Sequence, residues 1–360
     1  MRKLYSPWAD IDLAAWRHNL AEVRRHAPRS RVMAVIKANA YGHGMEQAAQ
    51  ALEDADAFAL ARLDEALALR RMGVGAPLLV MGGAYDAEAM ANAAAQGIRL
   101  GIHQSGQLDA LASLPRARRP QCLLKLDSGM HRLGFLAEET GAAWQRLREL
   151  GCLEDEPLIL SHMATADEGG SPQIDQQWAA LSYWARRLDS GFSIANSALL
   201  MSRPEMQGDW VRPGIMLYGA SPFESGTGET LGLRPVMTLK TRLVAVKQLA
   251  KGEPVGYGAT WITPEPMLLG VAAIGYGDGY PRHAPSGTPV LVNDREVPLV
   301  GRVSMDMITL DLRTCPQAQP GDEVCLWGPG LAAESIARAA GTIAYQLFCN
   351  ISGRVEFRYG

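Results

Sequence analysis

The segment Val35-Ile-Lys37-Ala-Asn-Ala-Tyr41-Gly-His-Gly44 is where the chain first shows residues fit for chemistry. A run of branched residues ends on a lysine, and a glycine-bounded loop follows. An amine at the end of a strand, partly withdrawn from water, loses its proton more readily than a free lysine and can form a Schiff base with a carbonyl. A lysine also closes strands at the surface with no chemistry at all, so its surroundings decide. Further along stand Arg132 in KLDSGMHRLG, His162 in SHMATAD, Asn196 and Ser197 in IANSA, and Arg212 and Gly214 in VRPGIMLYG. Each has an ordinary alternative. Ser197 fits a helix N-cap, His162 a buried hydrogen-bonded ring, and either arginine a solvated or ion-paired side chain.

What gives these residues a common meaning is the set of elements that would carry them. Short apolar runs at Val32–Ile36, Ala57–Leu60, Leu78–Met81, Ile98–Ile102, Cys122–Leu126, Leu158–Leu160, Phe192–Ala195 and Trp210–Val211 read as strands. Between them lie stretches such as MEQAAQALED, LDEALALRRM, DAEAMANAAAQ and EETGAAWQRLREL, with apolar residues at helical spacing. Eight such alternations fit a parallel barrel better than an open sheet, which periodicity alone does not exclude. In a barrel, active sites gather where strands end. Lys37 then ends the first strand, Arg132 follows the fifth, His162 ends the sixth, Asn196 and Ser197 end the seventh, and Arg212 follows the eighth. Phosphate sites in barrels often lie after the last two strands, which here supply Ser197, Gly214 and the amide of Ile215. A hydroxyl, exposed amides and a strand-end lysine together suit a phosphorylated aldehyde.

After Phe223 the pattern changes. A glycine-rich link, SGTGETLGLRP, leads into alternating runs such as VMTLKTRLVAVKQL and PVLVNDREVPLVGRVSMDMITLDL, with Gly or Pro recurring as in a small β domain. A last helix, AAESIARAAG, precedes the tail. The expected layout is an eight-stranded parallel (β/α)8 TIM-like barrel over residues 1–228 and a C-terminal β domain over residues 229–360. The first ten or so residues are candidates to join the second domain.

Composition bounds the partners. A net charge of -3 argues against a nucleic-acid or anionic-membrane partner. Five scattered cysteines without a CxxC pair suggest reduced thiols, neither a disulfide framework nor a zinc site. The opening MRKLYSPWADIDL has no apolar core like that of a secretory signal, and no apolar run reaches membrane-spanning length. A soluble, cytoplasmic protein is expected.

In order and spacing, IKANAYGHG, LKLDSGMHRLGF, SHMATAD, ANSA, RPGIMLYG, VGYGATW, GYGDGYPR and VGRVSMDM resemble the bacterial alanine racemases. The likeness runs from ADIDLAAWRHNL to the tail. It implies a fold type III barrel with a β domain, a head-to-tail homodimer with shared active sites, and pyridoxal 5'-phosphate joined covalently to Lys37. The resemblance makes Lys37 the base on the D-alanine side and Tyr257 of the other subunit the base on the L-alanine side. It assigns the phosphate to Tyr41, Ser197, Gly214, Ile215 and Tyr345, and brings His162 and Asn196 near the cofactor. Arg212 would face the pyridine nitrogen, while Arg132 and the partner's Met305 would contact the substrate. Tyr276 resembles a gate residue of the entry channel, and Asp306 a supporting one. Lys125 matches a lysine that many relatives carry as a carbamate bonded to the substrate-binding arginine. His131, Met163 and Gly277 depart from the commoner Gly, Phe and Ala, and none of the three replaces a residue with an assigned role.

The chemistry implied is the reversible interconversion of L-alanine and D-alanine, serving peptidoglycan synthesis or alanine breakdown. Lysine and tyrosine, with reference pKa values of ~10.4 and ~10, must both be depressed to act as bases near neutrality. A guanidinium facing the ring nitrogen donates without fully protonating it, which limits transamination. Three other readings share the barrel: a non-catalytic cofactor-binding barrel, a basic-amino-acid decarboxylase and a broad-specificity racemase. The β domain with Tyr257 opposes the first, and racemase motifs occupy the stretch where the second would carry its own.

Overall fold

A computed structural model describes residues 6–360; the first five residues of the polar opening lie outside the described residues. Strand β1 is Trp8–Ile11. The barrel strands are β2 (Arg31–Val35), β3 (Ala57–Leu60), β4 (Leu78–Val80), β5 (Ile98–Ile102), β6 (Cys122–Lys125), β7 (Leu158–Leu160), β8 (Gly191–Ser193) and β9 (Trp210–Val211). All neighbouring pairs from β9 through β2 round to β8 are parallel. Beside β8 the ring closes through individual contacts. Asp209 N donates to Phe192 O at 3.1 Å, Arg212 N to Ala195 O at 2.8 Å, and the Ser193 hydroxyl to Trp210 O at 2.7 Å. Strands β3 and β4 are buried along their whole length, as expected where a barrel interior and an outer ring of helices cover both faces.

The helices begin where local chemistry lets them. Asp12 caps Leu13–His26 by accepting from Ala15 N at 2.8 Å, and Asp86 caps Ala87–Ala95 in the same way. Glu65, in the first turn of Leu63–Arg71, reaches back to the amides of Ala61 and Arg62.

The second domain is antiparallel apart from one edge. Its strands are β10 (Met237–Leu249), β11 (Pro254–Val255), β12 (Trp261–Ile262), β13 (Met267–Ala272), β14 (Pro289–Val292), β15 (Arg295–Val300), β16 (Ile308–Asp311), β17 (Glu323–Trp327) and β18 (Glu356–Tyr359). The order β13-β16-β15-β14-β17-β10, with β10 also pairing β13, closes a second ring. β1 pairs antiparallel with β10 and parallel with β18. Two short helices follow β17, Ala333–Ala339 and Ala344–Cys349. The sequence pattern shows only the first of these. One continuous apolar core runs from the barrel into this domain, including Tyr218, Trp327 and Phe348.

Candidate active site

Lys37 stands two residues past the end of β2 at Val35, and the backbone after it does something unusual for L-residues. Ala38, Asn39, Ala40 and Tyr41 all have φ between 51° and 54°, making a left-handed helical turn where the sequence suggested only a loop. Such residues cost roughly 1–2 kcal/mol each, so the turn must be held from outside. Asn39 Oδ1 accepts from Met45 N at 2.9 Å, and the His43 ring donates to Tyr41 O at 2.9 Å. Glu65 accepts from Ala38 N at 2.6 Å. Gly42 closes the turn at φ 81°, where a Cβ would lie 2.2 Å from Phe348 O. Only glycine lets the turn sit this near the helix Ala344–Cys349.

At this end of the barrel lies a cavity of about 500 Å³. Lys37, Tyr41, Lys125, Arg132, His162, Asn196, Ser197, Arg212, Gly214, Ile215 and Tyr345 all line it. A larger cleft of about 860 Å³ opens at the opposite end, by Arg31, Leu158 and Gly191 at the strand starts. It holds ion pairs of Arg99 with Glu154 at 2.5 Å and Arg31 with Glu156 at 3.3 Å, and no residue singled out above for chemistry lines it. Chemistry in barrels belongs at the end with the smaller cavity.

Four cationic side chains face that cavity, and among the described residues no carboxylate lines it. Arg212 is 5 % exposed; its guanidinium donates to the Ser193 hydroxyl at 2.5 Å and to the Ser161 carbonyl. Burial brings its pKa down to about 10, so it remains a cation near neutrality. Burial, then the charges of Arg212, Arg132 and Lys37, pull Lys125 down to about 8. Lys37 is lowered by burial and then by Arg132. His162 is held well below its ordinary value by burial and these same cations, so its ring is neutral. A pocket with this charge is made for an anion.

One wall is a set of donors. Asn196, not Ser197, caps the helix Ser197–Ser202, accepting from Leu199 N at 3.0 Å. That leaves the Ser197 hydroxyl to the amides of Gly214 at 2.9 Å and Met216 at 3.3 Å. A Cβ on Gly214 would lie 2.5 Å from the Tyr41 hydroxyl, so glycine keeps this cradle open. Tyr345 comes in from the second domain, its ring 5.8 Å from that of Tyr41. Burial raises the pKa of both phenols, so they stay protonated as hydrogen-bond donors. Among the described residues neither hydroxyl has a hydrogen-bond partner.

Several contributors carried no role in the sequence reading. Tyr218 stacks on Tyr41 at 4.5 Å and donates to Val35 O at 2.9 Å, bracing the end of β2. Ser161 and Ser193 hold Arg212, and Cys349 lines the cavity. Tyr218, Ser161 and Ser193 lie in or beside segments already noted, where their types alone did not separate them from core residues; Cys349 lies in a helix the sequence pattern does not show.

The remaining sequence-selected residues form a second group on the β domain. Tyr257, Tyr276 and Met305 are 68 %, 41 % and 52 % exposed, and none lines the cavity. Tyr276 N donates to Ser304 O and Gly277 N to Met305 O, which ties two of these segments together. Asp306 pairs with Arg354 at 2.6 Å, and Arg354 also pairs with Asp278. Gly277 makes room for that arginine, since a Cβ there would meet its guanidinium at 2.6 Å. His131 occupies a left-handed position at φ 56°, which explains why glycine suits that site; its amide donates to Asp127.

Comparison with known proteins accounts for nearly the whole chain. Residues 11–222 match the family model described as "Alanine racemase, N-terminal domain", and residues 236–359 match "Alanine racemase, C-terminal domain". The alanine racemase of Nitrosococcus oceani is 52% identical over 351 residues, covering 97% of this chain and 98% of that one. The biosynthetic alanine racemase of Escherichia coli is 46% identical over 350 residues, with 97% and 98% covered. The crystal structure of the biosynthetic alanine racemase from Pseudomonas aeruginosa superposes with a TM-score of 0.94 at 44% identity, covering 99% of both chains. With the barrel, the β domain and both family models in register, the chain belongs to the alanine racemase family.

Proposed function

We propose that this chain interconverts L-alanine and D-alanine with pyridoxal 5'-phosphate bound at Lys37, and that a working site needs two copies of the chain. The observation that carries the reading is the pairing, in one cavity, of a depressed lysine with a wall of phosphate donors. The donor set fits the cofactor. The Tyr41 and Tyr345 hydroxyls stay protonated, the Ser197 hydroxyl and the Ile215 amide stand beside them, and Gly214 leaves the space a side chain would fill. When bound, the cofactor supplies an electron sink that lets the α-hydrogen of alanine leave as a proton.

The protein's own part is binding and proton transfer. Arg132 carries the fixed positive charge suited to the substrate carboxylate, and Arg212, pinned by Ser161 and Ser193, presents donors toward the cofactor ring. With no carboxylate among the described residues lining that wall, Arg212 would offer a ring nitrogen a donor that keeps its proton. Burial and then Arg132 lower the Lys37 amine, which eases its service as a base on one face of the substrate. Inversion needs a second base on the other face, and the family resemblance gives that part to Tyr257, which stands out on the β domain away from the cavity of its own chain. Tyr257 of a second copy, on the same β domain as Met305 and Tyr276, would cover the mouth and supply that base. Their exposure on a lone chain supports this arrangement. The product serves either peptidoglycan synthesis or alanine catabolism, since the reaction runs both ways.

The test is to supply pyridoxal 5'-phosphate and follow the optical rotation of L-alanine and of D-alanine separately. Loss of rotation from both is expected, together with a visible absorbance band that Lys37→Ala abolishes. Tyr257→Phe should slow the exchange of the α-hydrogen of L-alanine with deuterated solvent far more than that of D-alanine. Rotation that stays constant for both enantiomers while the band forms would favour a non-catalytic cofactor carrier. Among the described residues no helix is long and apolar enough to cross a membrane.

A further inference from the structure

The segment ARLDEALALR has no part in the chemistry above, yet it sends one side chain across to the turn that follows Lys37. Glu65 Oε2 accepts from Ala61 N at 3.0 Å and Arg62 N at 3.1 Å, an ordinary way to begin a helix. Its Oε1 accepts from Ala38 N at 2.6 Å, 27 residues earlier in the chain. Ala38 is the first of the four left-handed residues and the immediate neighbour of Lys37.

We propose that Glu65 is a positioning residue for Lys37, clamping the left-handed turn at its first amide and so fixing the amine toward the cavity. This rests on the assignment of Lys37 as the cofactor-bearing residue. A carboxylate is the group for the task, because three amide donors converge on it and its two oxygens can satisfy them all. An amide side chain offers one acceptor oxygen and turns a donor toward other donors. The turn is strained in four successive residues, so an anchor at its origin decides whether that strain stays localised or relaxes through Lys37.

Charge gives an independent handle. Arg132 and Arg212 act against the charged form of the Lys37 amine, while Glu65 and, more weakly, Cys349 favour it. Lys125 and His162 face the same cluster and are themselves lowered by Lys37. Glu65 is the carboxylate that opposes the surrounding cations. Its neutralisation should move the amine's titration further down, whereas loss of a helix cap should not.

The experiment is pH-dependent acetylation of Lys37 in the full chain stripped of cofactor, read by peptide mass spectrometry, alongside titration with pyridoxal 5'-phosphate. In the unaltered protein the cofactor should block acetylation at Lys37. If it does not, the cofactor assignment fails, whatever Glu65 does. In Glu65→Gln the midpoint should fall and cofactor affinity should drop about tenfold. Glu139→Gln is the matched control: Glu139 accepts from Leu136 N at 2.9 Å at the start of the helix Ala137–Leu150 and holds no distant amide. It should lose comparable stability with midpoint and affinity unchanged. Should Glu65→Gln not fold, Glu65→Asp keeps the charge but falls short of Ala38, so affinity should drop while the midpoint stays close to that of the unaltered protein. The proposal is overturned if Glu65→Gln behaves as Glu139→Gln does, or if Glu65→Asp binds the cofactor normally.

Discussion

Lys125 offers a quantitative check on the electrostatics of the cavity. Its amine falls from its ordinary 10.5 to about 8, through burial first and then through Arg212, Arg132 and Lys37. Each pH unit of that displacement is worth ~1.4 kcal/mol, so keeping the amine charged costs about 3 kcal/mol at pH 7. The sign follows from proton counting. Between pH 8 and 10.5 the unfolded chain holds a proton on this lysine that the folded chain has released, so stability rises with pH across that window. Lys125→Met removes the charge and keeps most of the apolar stem. The variant should be more stable than the parent by up to about 3 kcal/mol at pH 7, with the advantage fading toward pH 10. The check is urea unfolding of both full chains from pH 7 to 10 in buffer freed of carbon dioxide. Subtracting one curve from the other removes the tyrosines and cysteines that titrate in the same range. A constant difference across that range would refute the claim that this amine sits desolvated among cations. The same reasoning predicts that bicarbonate stabilises the parent alone, because the neutral amine is the form that becomes a carbamate. That carbamate would give Arg132 the anionic neighbour the cavity otherwise lacks.

Arg212→Glu sets a carboxylate against the Ser161 carbonyl in a buried position; racemisation should fall by roughly two orders of magnitude while conversion of alanine to its keto acid becomes detectable. An unchanged rate of racemisation would refute the role given to that guanidinium. Ser197→Ala removes the acceptor of the Gly214 and Met216 amides and, on the proposed function, a phosphate contact, and should then weaken cofactor binding about tenfold, measured by fluorescence titration. His131→Gly relaxes a left-handed residue and should raise stability by at most ~1 kcal/mol in urea unfolding, glycine's extra chain entropy offsetting part of the gain. A loss larger than that would mean the His131 side chain supports its loop.

Much of the barrel could be read from the sequence because each strand is a short apolar run between helical stretches. Ala57–Leu60, Ile98–Ile102, Leu158–Leu160 and Trp210–Val211 have the bounds the pattern gives, and the other four barrel strands shift by a residue or two at their ends. β8 moved most, to Gly191–Ser193, because the residues after Ser193 turn aside to reach Arg212 and cap the next helix. The helix Ala344–Cys349 was not legible: six residues are too few for a period to stand out, and its burial comes from docking against the Lys37 turn. The left-handed turn was hidden for a related reason. Asn39 tolerates that backbone and Gly42 favours it, but Ala38 and Ala40 do not, so only tertiary contacts with Glu65, Met45 and His43 make it stable. Tyr257 shows the limit of one chain: the resemblance gives it a purpose, while its surroundings here are solvent.

The position of β1 bears on the order in which the protein can be assembled. Its backbone is satisfied on one side by β10 and on the other by β18, and Leu13 N, at the start of the first helix, donates to Gly360 O at 2.8 Å. Residues 8–11 therefore emerge early in synthesis and find their neighbours only after some 230 and then some 350 residues have been made. The barrel meanwhile has all its own strands by Val211 and can collapse without them. A nascent chain would thus carry β1 unpaired until β10 appears and half-satisfied from then on, and β18 is the strand that seals it.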